Sequence, residues 1–404
     1  MKILLPSHQL LKSIYFLTFC ALLLGTTLAV LSQNMTSLTP EILDRSLVSL
    51  GDTAKLQHVF AKAQRGEKIV LAFIGGSITE GAAATAKEKR YVELVGNWWK
   101  TMFPQSQIEI INAGIGATAS NFGALRLQQD VLSKHPDVLV VEFAVNDEPS
   151  EASTQSFEGL VRQSLQSPDP VALLLLFMMK QDGANAQEPF ARVGAHYNLP
   201  MVSYRDAIWP EIQSGRMKWE DLSPDTIHPK DSGHAYAAAM INAVLNKVLS
   251  TLPKNEPLLR TDPIPAPLTS NLYDHTSLFT GAEMKPLQNH GWTFEATANP
   301  KSTGWKATEP GSVLEFEIPG SMVFLQYWKI HGAMGITRVS IDGVPVGDYD
   351  AWFDKTWGGY NQTLAIAHDL TSKMHRIRIE LLPEKNPSSS GTEFRVTGIG
   401  SAGS

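Results

Sequence analysis

Between residues 50 and 250 five short apolar runs alternate with segments of helical periodicity, and this alternation limits the fold more than any other feature. The runs are KIVLAFIGG (68–76), QIEIINAG (107–114), DVLVVEFA (137–144), VALLLLFMM (171–179) and PMVSY (200–204). Several are apolar throughout, as strands buried on both faces of a parallel sheet must be. Helical patterns lie between them, from Lys89 to Met102, Ser120 to Ser133 and Ser232 to Leu249. Strand and helix in alternation specify an α/β fold with a doubly wound parallel sheet and right-handed crossovers. Five parallel strands are expected within residues 46–251, with functional residues just past their carboxyl ends.

The pattern then changes twice. Residues 252–280 carry prolines at 253, 257, 263, 265 and 267 without periodicity, and read as a Pro-rich linker, wrapped on the surface or extended between domains. From 281 to 402 the period becomes two, in VLEFEI (313–318), MVFLQYWKI (322–330), TRVSIDG (337–343), RIRIELL (376–382) and EFRVTGI (393–399). Asp342-Gly343 is a hairpin turn signal. Short strands without intervening helices predict an all-β sandwich, jelly-roll-like, as a second domain. A chain of 404 residues accommodates both, at roughly 100–200 residues per domain.

The first thirty residues stand apart. Lys2 and Lys12 flank the start of an apolar run over 13–31, which contains Thr27-Leu28-Ala29 near its end as a cleavage signal. Residues 1–30 therefore read as a secretory signal peptide, which places the protein outside the cell or in a periplasm. Left uncleaved, the same run is near the ~17–25 residues of a membrane anchor. The single cysteine, Cys20, lies inside it, so neither a disulfide framework nor a multi-cysteine metal site is available. A formal net charge of -6 lacks the basic footprint of a nucleic-acid binder. Asn34-Met35-Thr36 and Asn361-Gln362-Thr363 fit the glycosylation pattern, which matters only in a eukaryotic host.

The chemistry collects at strand ends of the first domain. Ser77 directly follows the first run, as Gly75-Gly76-Ser77. Asn112-Ala113-Gly114-Ile115-Gly116-Ala117-Thr118 ends the second run, Asn146-Asp147 follows the third, and Asp225-Thr226-Ile227-His228 precedes the last helix. A serine hydroxyl becomes a useful nucleophile when a base takes its proton, and His228 is such a base. A carboxylate three residues earlier, Asp225, can hold the imidazole in one tautomer. Backbone N–H groups of Gly-rich turns and an Asn amide are the donors that a tetrahedral oxyanion needs.

Four blocks in this order resemble the SGNH hydrolase superfamily, also called GDSL esterases, over roughly residues 65–250. The resemblance implies a flavodoxin-like doubly wound sheet and a catalytic set of Ser77, Asp225 and His228. It implies an oxyanion hole from Ser77, Gly116 and Asn146, without metal or cofactor. Three positions depart from the usual pattern. Gly76 stands where Asp is commonest, Ala144 stands where Gly is usual, and a register one residue later would make Ala117 the donor in place of Gly116.

Other residues carry alternatives. Asp221 and Asp231 are competing partners for His228, while Asp231 and Ser232 also fit the N-cap region of the last helix. His234 reads as structural, and Asp147 as ordering the Asn146 turn. Met178, Met179 and Lys180 read as core or as acyl contacts, and Arg90 and Tyr91 as a pocket border. Five of the nine tryptophans lie in the second domain, at 292, 305, 328, 352 and 357. They either bind glycan, with DYDAWFDKTWGGY (348–360) as the surface, or fill the sandwich and its interface.

The leading function is a secreted serine esterase acting on O-acetyl groups of carbohydrates, with an acylated small molecule or polysaccharide as substrate. The substrate comes from analogy with the family. The alternatives are a lipid or short-chain acyl esterase, an O-acetyltransferase, and a glycan-binding surface protein with a degenerate hydrolase domain.

Overall fold

The computed structural model describes residues 38–253 and 263–403; the signal-peptide reading of 1–30 and the Asn34 sequon lie outside them. After helix α1 (Pro40–Ser46) comes strand β1 (Leu47–Ser49), helix α2 (Ala54–Gln64) and the first long strand, β2 (Ile69–Gly75). Strands β3 (Ile108–Gly114), β4 (Val138–Glu142), β5 (Ala172–Phe177) and β6 (Met201–Ser203) complete a sheet ordered β1-β6-β5-β4-β2-β3. Strands β2 to β6 are parallel, the five that the apolar runs predict. β1 is an antiparallel sixth strand on β6, which the sequence reading missed. Three residues are too few to show a period.

β2, β4 and β5 are buried at every position, because helices cover both faces of the sheet. On one face lie α2, α4 (Tyr91–Met102) and α9 (Asp231–Ser250), where the rings of Phe60, Trp99 and Phe103 meet at 5.0–5.7 Å. On the other lie α5 (Ser120–Asp130), α6 (Glu151–Leu165) and α7 (Gln187–His196), where Phe157 stacks on Phe190 at 3.8 Å. Two further helices, α3 (Ser77–Glu80) and α8 (Tyr204–Gln213), follow β2 and β6. The chain steps from β2 outward to β3 and then back past β2 to β4. The sheet therefore has the flavodoxin-like order, and its switch point lies between β2 and β4. Asp231 does not cap α9: its carboxylate accepts from Thr85 N and Oγ1 at 2.8 and 2.7 Å and pairs with Lys89 at 2.7 Å.

The expected linker is partly corrected. Residues 254–262 lie outside the described ones, but 263–275 form a strap on α6. The Asp274 carboxylate takes both Arg162 nitrogens, Nε and Nη2, at 2.7 Å, with both side chains more than nine-tenths buried. Glu158 accepts the N–H groups of Leu268 and Thr269 at 2.5 and 2.7 Å. Burial alone would raise the Glu158 carboxyl; these bonds, with those from Thr269 and Tyr197 hydroxyls, outweigh it and hold it low. Residues assigned to the linker's end are strand β7 (Thr276–Thr280), paired to the last strand of the chain.

Ten further strands follow. β8 (Gln288–His290), β9 (Thr293–Glu295), β10 (Gly304–Ala307), β11 (Val313–Gly320), β12 (Met322–Lys329), β13 (Ile336–Ile341), β14 (Val344–Asp350), β15 (Tyr360–Ala367), β16 (Lys373–Leu381) and β17 (Phe394–Ala402) build two antiparallel sheets with β7. One runs β15-β12-β17-β10-β9 with β7 beside β17, the other β14-β13-β16-β11-β8. Leu314, Phe316 and Ile318 of β11 and Ile377, Ile379 and Leu381 of β16 point to the shared core with Leu325, Tyr327 and Val396 of the other sheet. Asp342 and Gly343 take positive φ of 51° and 84° and turn β13 into β14, as the two-residue hairpin signal requires.

β12 is buried over Val323–Trp328 because both its faces are covered. Val323, Leu325 and Tyr327 face the sandwich core, whereas Phe324 joins Leu125, Leu160, Tyr273 and Ala402 in the core under α5 and α6. The α/β sheet and the sandwich thus share one continuous apolar layer. Replacing Arg162 with Leu would leave Asp274 buried and unpaired. We expect a loss of about 3–5 kcal/mol, read as a lowered urea midpoint.

Candidate active site

The sequence blocks converge at the switch point. β2 ends at Gly75, Gly76 links it to the next element, and Ser77 opens the four-residue helix α3. A β-carbon on Gly76 would lie 2.4 Å from Asn146 Oδ1, so this position makes room for the Asn146 side chain. A β-carbon on Gly114 would lie 2.1 Å from Glu80 N, and its absence lets α3 rest against the end of β3. Asn112 Nδ2 donates to Thr79 O at 2.7 Å and fixes α3 from the same strand. Arg126 of α5, fully buried, donates to Ala113 O at 2.7 Å and Gly75 O at 3.2 Å, tying the carboxyl ends of β3 and β2 together.

Ser77 Oγ lies 2.9 Å from His228 Nε2, and His228 Nδ1 lies 2.8 Å from Asp225 Oδ2. With the Nδ1 proton directed at the carboxylate, Nε2 is the free lone pair facing the hydroxyl. Asp225 Oδ1 accepts the Ile227 and His228 N–H groups, both at 2.7 Å, which folds the loop onto its own carboxylate. Ser223 Oγ reaches the Asp225 and His228 carbonyls at 2.8 and 2.6 Å, and Gln181 N donates to Thr226 O at 2.9 Å. Burial acts to raise the Asp225 carboxyl, but the hydrogen bonds from His228 and Ile227 prevail and hold it below its usual range. Of the three acids in reach by sequence, Asp225 meets the imidazole, while Asp231 is spent on Thr85 and Lys89.

The two candidate turn donors separate here. The Gly116 N–H is not free: it donates to Glu80 Oε2 at 2.7 Å, which corrects the assignment of Gly116 to the oxyanion hole. The next N–H, of Ala117, has no acceptor among the described residues, and Ala117 adopts φ 58°, a left-handed conformation uncommon for a residue with a β-carbon. The Ser77 N–H likewise has no acceptor among the described residues. Asn146 is held by its N–H to Phe143 O at 3.0 Å, and its side-chain Oδ1 is buried without a partner. Asp147 turns away from the site and accepts the Ser120 N–H at 3.0 Å, at the start of α5.

Residues with open roles are now placed. Met178 and Met179 are core. Tyr91 is buried beneath α3 with its hydroxyl 2.8 Å from Thr79 Oγ1, so it does not border the site. Arg90 packs across Gly81. His234 is fully buried between Tyr91 N (3.4 Å) and Ala82 O (3.2 Å), and burial lowers its basicity. Trp292 and Trp328 are buried, Trp305 and Trp352 half-buried, and Trp357 is 63 % exposed, in an aromatic group with Phe353 and Tyr360 at 5.1 and 6.0 Å. The Asn361 amide is engaged on both sides, by Lys301 O at 2.7 Å and Thr397 Oγ1 at 2.9 Å. No group of three or more metal-ligating side chains occurs among the described residues. Sequence reasoning missed Glu80 and Arg126, whose partners lie far along the chain; Asn112 was visible as a motif member without a role.

The profile of the GDSL-like Lipase/Acylhydrolase family matches residues 73–236. A crystal structure described as a two-domain esterase (CEX) active on acetylated mannans, co-crystallised with mannopentaose, is 32% identical with a TM-score of 0.81. The match covers 89% of this chain and 98% of that one. A second structure, described as a two-domain esterase (CEX) active on acetylated mannans, gives 32% identity and a TM-score of 0.82 over the same shares. No curated protein sequence matches the chain.

Two buried acids lie under the site. Burial pushes Glu142, at the end of β4, up to about 8 against the Thr79 hydroxyl, and the Asp147 charge adds to the rise. Burial pushes Asp147 up to about 7, opposed by its hydrogen bonds from Ser120. From its usual 4.5 to about 8, Glu142 keeps its proton when folded and loses it when unfolded. Stability from this group is therefore complete below about pH 4.5 and is lost as pH rises to about 8. Glu142→Gln is neutral at every pH. Its stability relative to wild type should rise by roughly 1 kcal/mol per pH unit between pH 5 and 8, measured by urea unfolding. A flat difference would mean that Glu142 is ionised in the folded protein.

Proposed function

This chain belongs to the GDSL-like lipase/acylhydrolase family and is a carboxylic ester hydrolase, and from that we propose that it removes O-acetyl groups from carbohydrates, with Ser77 as nucleophile. The observation that carries the mechanism is the unbroken hydrogen-bonded line from Ser77 Oγ through His228 to Asp225. His228 Nε2 takes the hydroxyl proton as Ser77 Oγ attacks the ester carbonyl carbon. The N–H groups of Ser77 and Ala117 and the Asn146 side-chain amide receive the oxyanion. Collapse breaks the C–O bond, and His228 returns the proton to the leaving sugar hydroxyl. Water then attacks the acetyl-enzyme with His228 again as base, releasing acetate and restoring Ser77. Asp225 stays ionised and holds the imidazole throughout.

The substrate class is supported by the likeness, over 89% of the chain, to an esterase active on acetylated mannans. It is supported also by the exposed Trp357 and its ring neighbours, since sugar rings pack on aromatic faces. This aromatic group runs directly into Asn361, which holds the backbone of Lys301, and Lys301 pairs with Glu80 of the nucleophile's helix. Export through residues 1–30 belongs to the same proposal, resting on the charged and apolar pattern there; the mass of exported protein reads the cleavage.

Ser77→Ala should lower acetate release from acetylated polysaccharides and from small acetyl esters by on the order of 10⁵-fold, with the fold intact. Asn146→Ala should cost on the order of 10²–10³ in kcat. Full activity of folded Ser77→Ala would overturn the mechanism. Trp357→Ala should weaken turnover of the polymer several-fold and leave kcat/KM for a small acetyl ester unchanged. An equal loss on both substrates would remove the loop from substrate binding.

A further inference from the structure

Glu80 has two partners from opposite sides. Its Oε2 accepts the Gly116 N–H at 2.7 Å, and its Oε1 lies 2.6 Å from Lys301 Nζ. Glu80 closes the helix that Ser77 opens. Gly116 is in the same small space: a β-carbon on it would lie 3.7 Å from Ser77 Cβ. Lys301 belongs to the sandwich, in a one-turn 3-10 helix (Pro300–Ser302) between β9 and β10. It is itself held, with its N–H on Asn299 Oδ1 at 3.1 Å and its carbonyl on Asn361 Nδ2 at 2.7 Å. The second domain thus delivers one ammonium group to the edge of the nucleophile's helix.

We propose that Lys301 is a positioning residue for ester hydrolysis, acting through Glu80 on the Gly116–Ala117 turn. This rests on the reading of Ser77 as nucleophile and Ala117 as an oxyanion donor. Ala117 keeps a left-handed φ of 58° only where its surroundings impose it. The surroundings are the Glu80 carboxylate on the preceding N–H and the Thr118 hydroxyl on Ile115 O at 2.6 Å. Glu80 can hold the turn while its second oxygen is anchored; without Lys301 the carboxylate is free to rotate away. Lys301 also offsets a negative charge that would otherwise oppose the oxyanion forming beside it. Both side chains are about two-fifths exposed, so the pair adds little to stability. Its consequence is kinetic.

The test uses the full chain and 4-nitrophenyl acetate, a substrate too small to need the aromatic loop. Lys301→Met should lower kcat about tenfold, less than the loss of a whole oxyanion donor, with KM within about twofold and Tm within a few degrees. Lys301→Arg should restore most of kcat. Adding Glu80→Gln to Lys301→Met should recover part of the loss, because the amide still accepts from Gly116 and carries no charge. Wild-type kcat in Lys301→Met would overturn the proposal. So would a loss of kcat that tracks a large fall in Tm and is not rescued by Arg, which would mark simple domain docking. Ser77→Ala in the same assay separates the two readings. An active Ser77→Ala removes the nucleophile assignment. An inactive Ser77→Ala beside a wild-type-like Lys301→Met removes the role of Lys301 alone.

Discussion

The close approach of helix α3 to the carboxyl ends of β2 and β3 is the contact on which the site depends. A parallel sheet leaves its last carbonyls facing the loops, and here Arg126 takes two of them, Gly75 O and Ala113 O, from inside the core. Asn112 takes the Thr79 carbonyl, so α3 is fixed to the neighbouring strand as well as to its own. Only glycine at 114 permits that distance. Ser77 therefore stands on a short helix whose position is set by backbone contacts at van der Waals range. Such a placement is rigid, as a reacting constellation needs.

The second constraint is the shared apolar layer between α5, α6 and the six-stranded sheet of the sandwich. Phe324 and Ala402 of the sandwich and Tyr273 of the strap lie in the same core as Leu125 and Leu160. The Arg162–Asp274 pair and the Glu158 cluster lock the strap over α6. A Pro-rich segment that could have been a free tether is instead part of the packing. Because the two domains are fused in this way, a side chain of the sandwich can hold a fixed place against the helix that carries Ser77. Lys301 does so through Glu80, and its carbonyl is held by Asn361, the residue after Tyr360 of the aromatic group with Phe353 and the exposed Trp357.

Burial of acids under the site has a different origin. Glu142 sits at the last position of a fully buried strand, where its carboxyl meets Thr79 and has one oxygen without a partner. A proton on that carboxyl is the cheaper solution to the loss of solvent. Asp147, next to Asn146, is buried where its carboxylate accepts the Ser120 N–H at the start of α5. The esterase chemistry proposed for Ser77 asks nothing of either carboxyl; both shifts follow from the burial of these groups beneath Ser77.

How much of this was legible in the sequence depends on the range of each interaction. The five parallel strands were visible because burial on both faces writes itself into consecutive apolar residues, as in Ile69–Gly75 and Ala172–Phe177. Five of the sandwich strands, β11, β12, β13, β16 and β17, were visible through period two, and the Asp342-Gly343 turn through a two-residue conformational demand; β7 to β10, β14 and β15 were not read. Ser77 at a strand end and Asp225 three residues before His228 are local patterns, and the fold brings them within hydrogen-bond distance. The three-residue strand β1, the docking of the strap, the buried proton on Glu142 and the loss of the Gly116 N–H to Glu80 were not visible. Each is decided by residues that meet only after folding, as Glu80 and Lys301 do across 221 positions. Sequence alone determined the long buried strands, the helices between them and the residues at their ends, since those properties belong to neighbours along the chain. Tertiary structure alone decided which polar atoms remain free to act, because that depends on what the rest of the molecule places opposite them.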